Sequence, residues 1–164
     1  MSSSTPELTA AVVTVSDSSS RGERADLGGP AVVAILEKRN FNVVAREIVP
    51  DDESAIREVL IRLSSQARFV VTTGGTGVAM RDVTPEATRA VCGRLLEGIA
   101  ERMRSEGAKT TKYAALSRAL CGVRGQSVIL NLPGKPSGAV ESLEAVVDLI
   151  PHALQLLGGD TKHD

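Results

Sequence analysis

The chain is poor in aromatic residues, which make up 2% of it: Phe41, Phe69 and Tyr113, with no tryptophan. Aromatic platforms on which nucleic-acid bases could stack are therefore missing, and a formal net charge of −1 leaves no basic footprint for DNA or RNA. No run approaches the 18 or so apolar residues of a membrane-spanning helix. The opening Met1-Ser2-Ser3-Ser4-Thr5-Pro6 has neither the basic region nor the apolar core of a secretory signal. Cysteine is limited to Cys92 and Cys121, without CxxC spacing, which suits two reduced thiols in a cytoplasmic protein better than a disulfide or a metal site. With only 2 histidines there is no histidine metal cluster and no Ser/His/Asp or Cys/His grouping, and His152, after Pro151 on an apolar helix, reads as structural.

Aliphatic residues supply what the aromatics do not. Apolar residues account for 42% of the 164 positions, enough to bury one full core. The expected domain runs from 8 to 158, flanked by a disordered tail over 1–7 and a second tail over 159–164. Leu8–Ser16, Phe41–Val49, Phe69–Val71 and Ser127–Leu132 are apolar, β-branched runs and read as strands. Between them lie amphipathic stretches, such as Ile56, Val59, Leu60 and Leu63, at helical spacing. Residues 87–122 read as helices joined by short loops, including one over 113–120, and residues 93–122, outside the regular alternation, are a candidate intersubunit surface. Residues 17–26 read as a flexible loop or lid. The alternation predicts an α/β fold: one three-layer, Rossmann-like domain with a mostly parallel sheet and helices on both faces.

The chain is organised around Arg68–Thr88, which reads as strand, glycine loop, helix. Thr72-Thr73-Gly74-Gly75-Thr76-Gly77 turns sharply where side chains would obstruct, and its free amides and hydroxyls form a natural cradle for phosphate oxygens. A tight turn without a ligand is the plain alternative. The loop is neither GxxxxGK[ST] nor GxGxxG. Thr84 reads as the N-cap of the following helix, with Pro85 at its first position.

In a parallel sheet, ligands sit beyond the carboxyl ends of the strands. The segments expected there are Ser16-Asp17, Pro50-Asp51, Thr73-Gly74-Gly75-Thr76-Gly77 with Asp82, and Pro133-Gly134-Lys135. Asp51 and Asp82 are the paired carboxylates suited to hold a divalent cation beside a polyphosphate. Against this, Asp51 could be only a helix cap and Asp82 only a loop acid paired with Arg81. Asp17 could make only a turn, and Ser117-Arg118 could sit on a surface helix. Lys135 suits a charge-assisted phosphate contact, whereas Lys109 and Lys112 read as solvated charges.

TVSD at 14–17, VPDD at 49–52, TTGGTG at 72–77, RDVTPEAT at 81–88, LSR at 116–118 and LNLPGKPSGAVESL at 130–143 together resemble the molybdopterin adenylyltransferase family, the Mog/MoaB type related to the gephyrin G domain. The resemblance covers about residues 8 to 158, and the LPGKPSG segment looks more like the Mog and gephyrin branch. It implies adenylyl transfer from Mg-ATP to molybdopterin with release of pyrophosphate, in molybdenum cofactor biosynthesis. It further implies Mg²⁺ as cofactor, ATP as co-substrate, a cytoplasmic homotrimer, and hand-over to a molybdenum-insertion protein. The family's two essential aspartates match Asp51 and Asp82, expected to be catalytic and to hold the metal, and its serine near the pterin matches Ser117. Ser16, Asp17, Thr73 to Gly77, Ser117 and Pro133 to Lys135 are the expected substrate-binding positions. A non-catalytic pterin-binding subunit and an anion-handling enzyme of the competence-damage type are the alternatives.

Overall fold

The computed structural model describes residues 7–160. Of the expected tails, only Glu7, Gly159 and Asp160 lie within the described residues. β1 (Thr9–Val15), β2 (Asn42–Val49) and β3 (Phe69–Thr73) fall on the first three apolar runs. Two short strands follow, β4 (Arg94–Leu95) and β5 (Cys121–Arg124), and then β6 (Ser127–Leu132). The helices are α1 (Asp17–Ser20), α2 (Gly28–Lys38), α3 (Glu53–Ser64), α4 (Thr84–Val91), α5 (Glu97–Gly107), α6 (Pro136–Val146) and α7 (Ile150–Leu157).

The six strands form one sheet in the order β2-β1-β3-β6-β5-β4. β2, β1, β3 and β6 are mutually parallel, whereas β5 runs antiparallel to β6 and to β4. The single three-layer α/β domain with a mostly parallel sheet is therefore as expected, with an antiparallel extension that was not.

Alternation along each strand builds the layers, because successive side chains point to opposite faces. Val12, Val71 and Leu130 pack with Val32, Leu36, Met103, Leu143, Ile150 and Leu154 of α2, α5, α6 and α7. Val13, Val70 and Ile129 pack on the other face with Ile56, Leu60, Leu63 and Ala87 of α3 and α4. Both sets are buried, which is why the central strands read as continuous apolar runs. Truncating one of these aliphatics, Leu130 for example, costs about 2–5 kcal/mol through lost transfer energy and the cavity left behind. Phe41 and Phe69 meet with their rings tilted at 44° and 5.4 Å between centroids, an aromatic contact in an otherwise aliphatic core.

Several local expectations fail for identifiable reasons. The stretch 113–120 is not a helix: a 3-10 turn covers Lys112–Leu116, and the chain then extends through Ser117 toward β5. Leu95 lies in β4 rather than on a helix face. Thr84 is not the N-cap of α4; Val83 occupies that position, and the Thr84 hydroxyl donates to the Gly74 carbonyl at 3.0 Å. Asp51 is not a helix cap either, because Asp52 caps α3 by accepting from the Ala55 amide at 3.1 Å. The expected lid over 17–26 opens with helix α1, capped by Ser16, and closes on Asp26. The Asp26 side chain, only 5% exposed, accepts from the Thr14 hydroxyl at 2.8 Å, the Gly29 amide at 2.9 Å and Arg46 at 3.0 Å. Among the described residues, no helix is long and apolar enough to cross a membrane.

Candidate functional site

The parallel register pairs Val15 with Val49, Thr14 with Thr73, and Thr73 with Leu132. The carboxyl ends of β2, β1, β3 and β6 thus lie side by side, and the segments after them face one cleft. Its polar half, a hollow of about 410 Å³, is lined by Thr14, Ser16, Ser19, Arg24, Asp26, Asp51, Thr73 and Gly74. Its more apolar half, about 570 Å³, is lined by Thr76, Gly77, Val78, Met103, Tyr113, Leu116, Ser117 and Pro133. Gly75, Asp82, Gly134 and Lys135 line both halves and mark their junction. A third hollow, about 600 Å³, lies by α5 and α6 with Glu106, Val140, Glu141 and Glu144, and holds none of the expected residues.

The glycine loop has the shape the cradle requires. Gly74 and Gly75 have φ of 104° and 70°, in the left-handed region where a side chain is strained. A Cβ on Gly74 would sit 2.2 Å from the Val15 carbonyl oxygen, and one on Gly75 would sit 2.3 Å from the Thr84 hydroxyl and 3.2 Å from Asp51 Oδ1. Among the described residues, the amides of Gly75, Thr76, Gly77 and Val78 have no hydrogen-bond acceptor. Consecutive free amides at a βα turn form a concavity suited to anionic oxygens.

Asp51 and Asp82 both face the polar half of the cleft. Burial pushes the Asp51 carboxyl above the usual range, and the negative charges of Asp17 and Asp82 add to this, against the Asp17 amide and Arg81. Asp51 Oδ2 accepts from the Asp17 amide and Asp17 Oδ1 accepts from the Asp51 amide, each at 3.0 Å. This crossed pair ties the end of β1 to the end of β2. The other Asp17 oxygen accepts from the Arg81 guanidinium. The Asp51 amide and Arg81 together hold the Asp17 carboxyl below the usual range. Asp17 is therefore occupied by Asp51 and Arg81 and does not line either half of the cleft. Arg81 is likewise not the partner of Asp82, whose Oδ2 accepts from the Ala79 amide at 3.1 Å.

The remaining expected residues divide by what their polar groups already hold. Thr73 lines the polar half, yet its hydroxyl donates to the Pro133 carbonyl at 2.8 Å. Ser16 caps α1 through its hydroxyl, which accepts from Ser19 at 3.2 Å. Ser117 lies in the apolar half, and Lys135 is exposed where the halves meet. Lys109 pairs with Glu106, and His152 is exposed on α7. Cys92 is half-buried and Cys121 buried; both are free thiols, which burial pushes up to about 11 and about 12.

Sequence reasoning missed Asp26, Arg81 as the partner of Asp17, and a buried network beneath the loop. In that network Asn131 Nδ2 donates to the Thr72 and Thr88 hydroxyls at 3.1 and 2.9 Å, and Oδ1 accepts from the Leu120 amide at 3.1 Å. The polar residues within apolar runs were the available signal, since buried polar groups are placed where partners exist.

The donor set suits a hard cation such as Mg²⁺, because both facing groups are carboxylates. Among the described residues no group of three or more His, Cys, Asp or Glu side chains could hold a metal alone. Two acids leaving the other ligand positions to phosphate and water is the usual arrangement for Mg²⁺.

An open, mostly parallel α/β sheet that gathers a glycine turn with free amides and two acids beyond its strand ends has the architecture in which phosphorylated ligands are commonly bound. The model of a family described as a probable molybdopterin binding domain matches residues 11–152, and the chain belongs to that family. It is 43% identical over 153 residues to a molybdopterin adenylyltransferase of Helicobacter pylori, covering 91% of this chain and 87% of that protein. A crystal structure described as the molybdopterin biosynthesis enzyme MoaB from Thermus thermophilus superposes with a TM-score of 0.87 at 47% identity, covering 93% of this chain and 97% of that one. A molybdopterin biosynthesis Mog protein from Mycobacterium ulcerans gives 0.86 at 33%, covering 93% and 98%.

Proposed function

We propose that this protein transfers the adenylyl group of Mg-ATP to molybdopterin, releasing pyrophosphate, as a step of molybdenum cofactor biosynthesis. The observation that carries this reading is the two-part cleft, whose halves meet at Gly75 and Asp82 with Asp51 alongside. Two ligands joined through phosphate need such a junction. The relatives' naming as adenylyltransferases, at 43% identity, favours turnover over a non-catalytic pterin-binding subunit.

In this mechanism the terminal phosphate of molybdopterin attacks the α-phosphorus of ATP. A new P–O bond forms, the α–β bridging bond breaks, and its electron pair leaves with pyrophosphate. The nucleophile is already an anion, so no strong base is required. The free amides of Gly75 to Val78 stabilise charge on the transferring phosphate, and Lys135 supplies a positive charge at the junction. Asp51 and Asp82 would hold Mg²⁺, which when bound neutralises phosphate oxygen charge. Asp17 keeps Asp51 in place through the crossed amide bonds. Ser117 contacts the pterin side of the cleft. The same reading includes a cytoplasmic homotrimer and hand-over of product to a molybdenum-insertion protein.

The test is pyrophosphate release from ATP with molybdopterin and Mg²⁺. Molybdopterin-dependent release supports the reading, whereas binding of molybdopterin without release would return the chain to the role of a binding subunit.

A further inference from the structure

Arg118 does not sit on a surface helix; it grips the glycine loop from behind. Its backbone amide donates to the Thr76 carbonyl at 2.8 Å. Its Nε donates to the Gly77 carbonyl at 2.7 Å, and Nη2 to the Asp82 carbonyl at 2.7 Å. Nη1 donates to Glu86 Oε2 at 2.6 Å, in the first turn of α4. The guanidinium fork thus spans the whole segment from the cradle to the helix. It holds the Glu86 carboxyl below the usual range.

Peptide planarity gives this clamp a consequence on the opposite side of the loop. In a planar trans peptide the carbonyl of one residue and the amide N–H of the next point in opposite directions. Drawing the Thr76 and Gly77 carbonyls toward Arg118 turns the Gly77 and Val78 amides away from it. Those are two of the amides without an acceptor. The same fork fixes the backbone of Asp82, whose side chain faces the cleft.

We propose that Arg118 is a positioning residue for the transfer reaction: it presets the direction of the loop amides and the place of Asp82 before any ligand arrives. This rests on the adenylyl-transfer reading. It also makes Ser117-Arg118 one unit, with the serine in the apolar half of the cleft and the arginine behind the loop. Lysine cannot substitute, because a single point charge does not reach three acceptors arranged for a planar fork.

The experiment compares Arg118→Lys and Arg118→Ala with Arg68→Lys. Arg68 also donates to backbone carbonyls, those of Gln126 and Leu154, but at the opposite, amino-terminal ends of the parallel strands. Both Arg118 variants are expected to lose about 100-fold in kcat with KM for ATP changed less than about threefold. In the ligand-free protein, hydrogen exchange at the loop amides of Asp82 and Thr84, which donate to the Ala79 and Gly75 carbonyls beside the clamp, is expected to rise about tenfold while β3 and β6 keep their protection. Added guanidinium should restore part of the Arg118→Ala turnover. Arg68→Lys should lower Tm and leave kcat unchanged. Glu86→Ala, at an exposed position, removes one arm of the clamp without threatening the fold and should raise loop exchange about threefold. Turnover within about threefold of wild type in a folded Arg118 variant would overturn the proposal. So would loop exchange unchanged in the Arg118 variants or in Glu86→Ala, or a rise spread evenly over the sheet, which is the mark of a merely structural arginine. A wild-type protein that fails to release pyrophosphate would sink the adenylyl-transfer reading, and the ligand-free exchange data would still decide whether the clamp exists.

Discussion

Asp82→Asn separates charge from shape at the junction of the cleft. In the wild type, Asp82 Oδ2 accepts from the Ala79 amide at 3.1 Å, and an asparagine oxygen can accept the same bond. Arg118 holds the backbone of residue 82 through its carbonyl, which the substitution leaves intact. Stability should therefore change by less than about 1 kcal/mol, as for loop acids outside a buried pair. The effect on chemistry is larger. A unit charge acting over about 4 Å at an effective dielectric near 20 is worth about 4 kcal/mol, of which water and phosphate oxygens recover part. A residual loss of about 3 kcal/mol corresponds to about 100-fold in turnover. The loss belongs mainly to the transition state, so KM for ATP should move little. The assay is pyrophosphate release with molybdopterin at varied Mg²⁺, alongside a thermal melt. Near-normal turnover in a folded variant would refute the reasoning and reduce Asp82 to a loop acid.

Three further outcomes are expected. Gly75→Val places its Cβ about where the Thr84 hydroxyl and Asp51 already sit, at 2.3 and 3.2 Å, and should abolish ATP binding in calorimetric titration while the far-UV spectrum stays native; unchanged affinity would count against the cradle. Asp26→Asn should cost about 1–3 kcal/mol at pH 7 by urea titration, since a carboxylate 5% exposed loses charge-assisted bonds. Although burial opposes ionisation, bonds from Gly29, Thr14 and Arg46 hold this carboxyl below its ordinary value of 3.8, so its contribution is present above that pH and is lost as pH falls through the lower folded value; a deficit that does not shrink at acidic pH would argue against the assignment. Light scattering at micromolar concentration should give three times the 17.2 kDa protomer mass, and a monomer would reject the trimer.

The parallel half of the sheet was legible because strands buried on both faces leave continuous β-branched runs such as Val70-Val71 and Val128-Ile129-Leu130. β4 and β5 were not, because two residues, and a four-residue strand containing Gly122, carry too little pattern to outweigh helical neighbours. The convergence of Asp51, Gly75, Asp82 and Gly134 on one cleft followed from strand direction alone. The division of labour between neighbouring acids did not. Asp51 and Asp52 are the same residue type in adjacent positions, and only their partners, the distant Asp17 amide for one and the local Ala55 amide for the other, assign the cleft and the cap. Thr84 failed for the same reason: a hydroxyl at a helix start suggests a local cap, but the Gly74 carbonyl was the partner in reach.

The wall over the polar half of the cleft is tied down at both ends, and this bears on how a ligand enters. The Glu23 amide donates to the Ser18 carbonyl at 2.9 Å, and Asp26 is held by Thr14 and Gly29. Arg24 and Ala25 alone span the gap between those anchors, and both line the hollow. Two residues between fixed posts cannot swing as a hinged flap does; the Arg24 side chain is the part with room to move. Exposed side chains change rotamer in picoseconds to nanoseconds, far faster than backbone openings in the microsecond range. Association with nucleotide should then proceed in a single kinetic phase whose observed rate rises linearly with ligand concentration, with no plateau set by a slow opening of the chain.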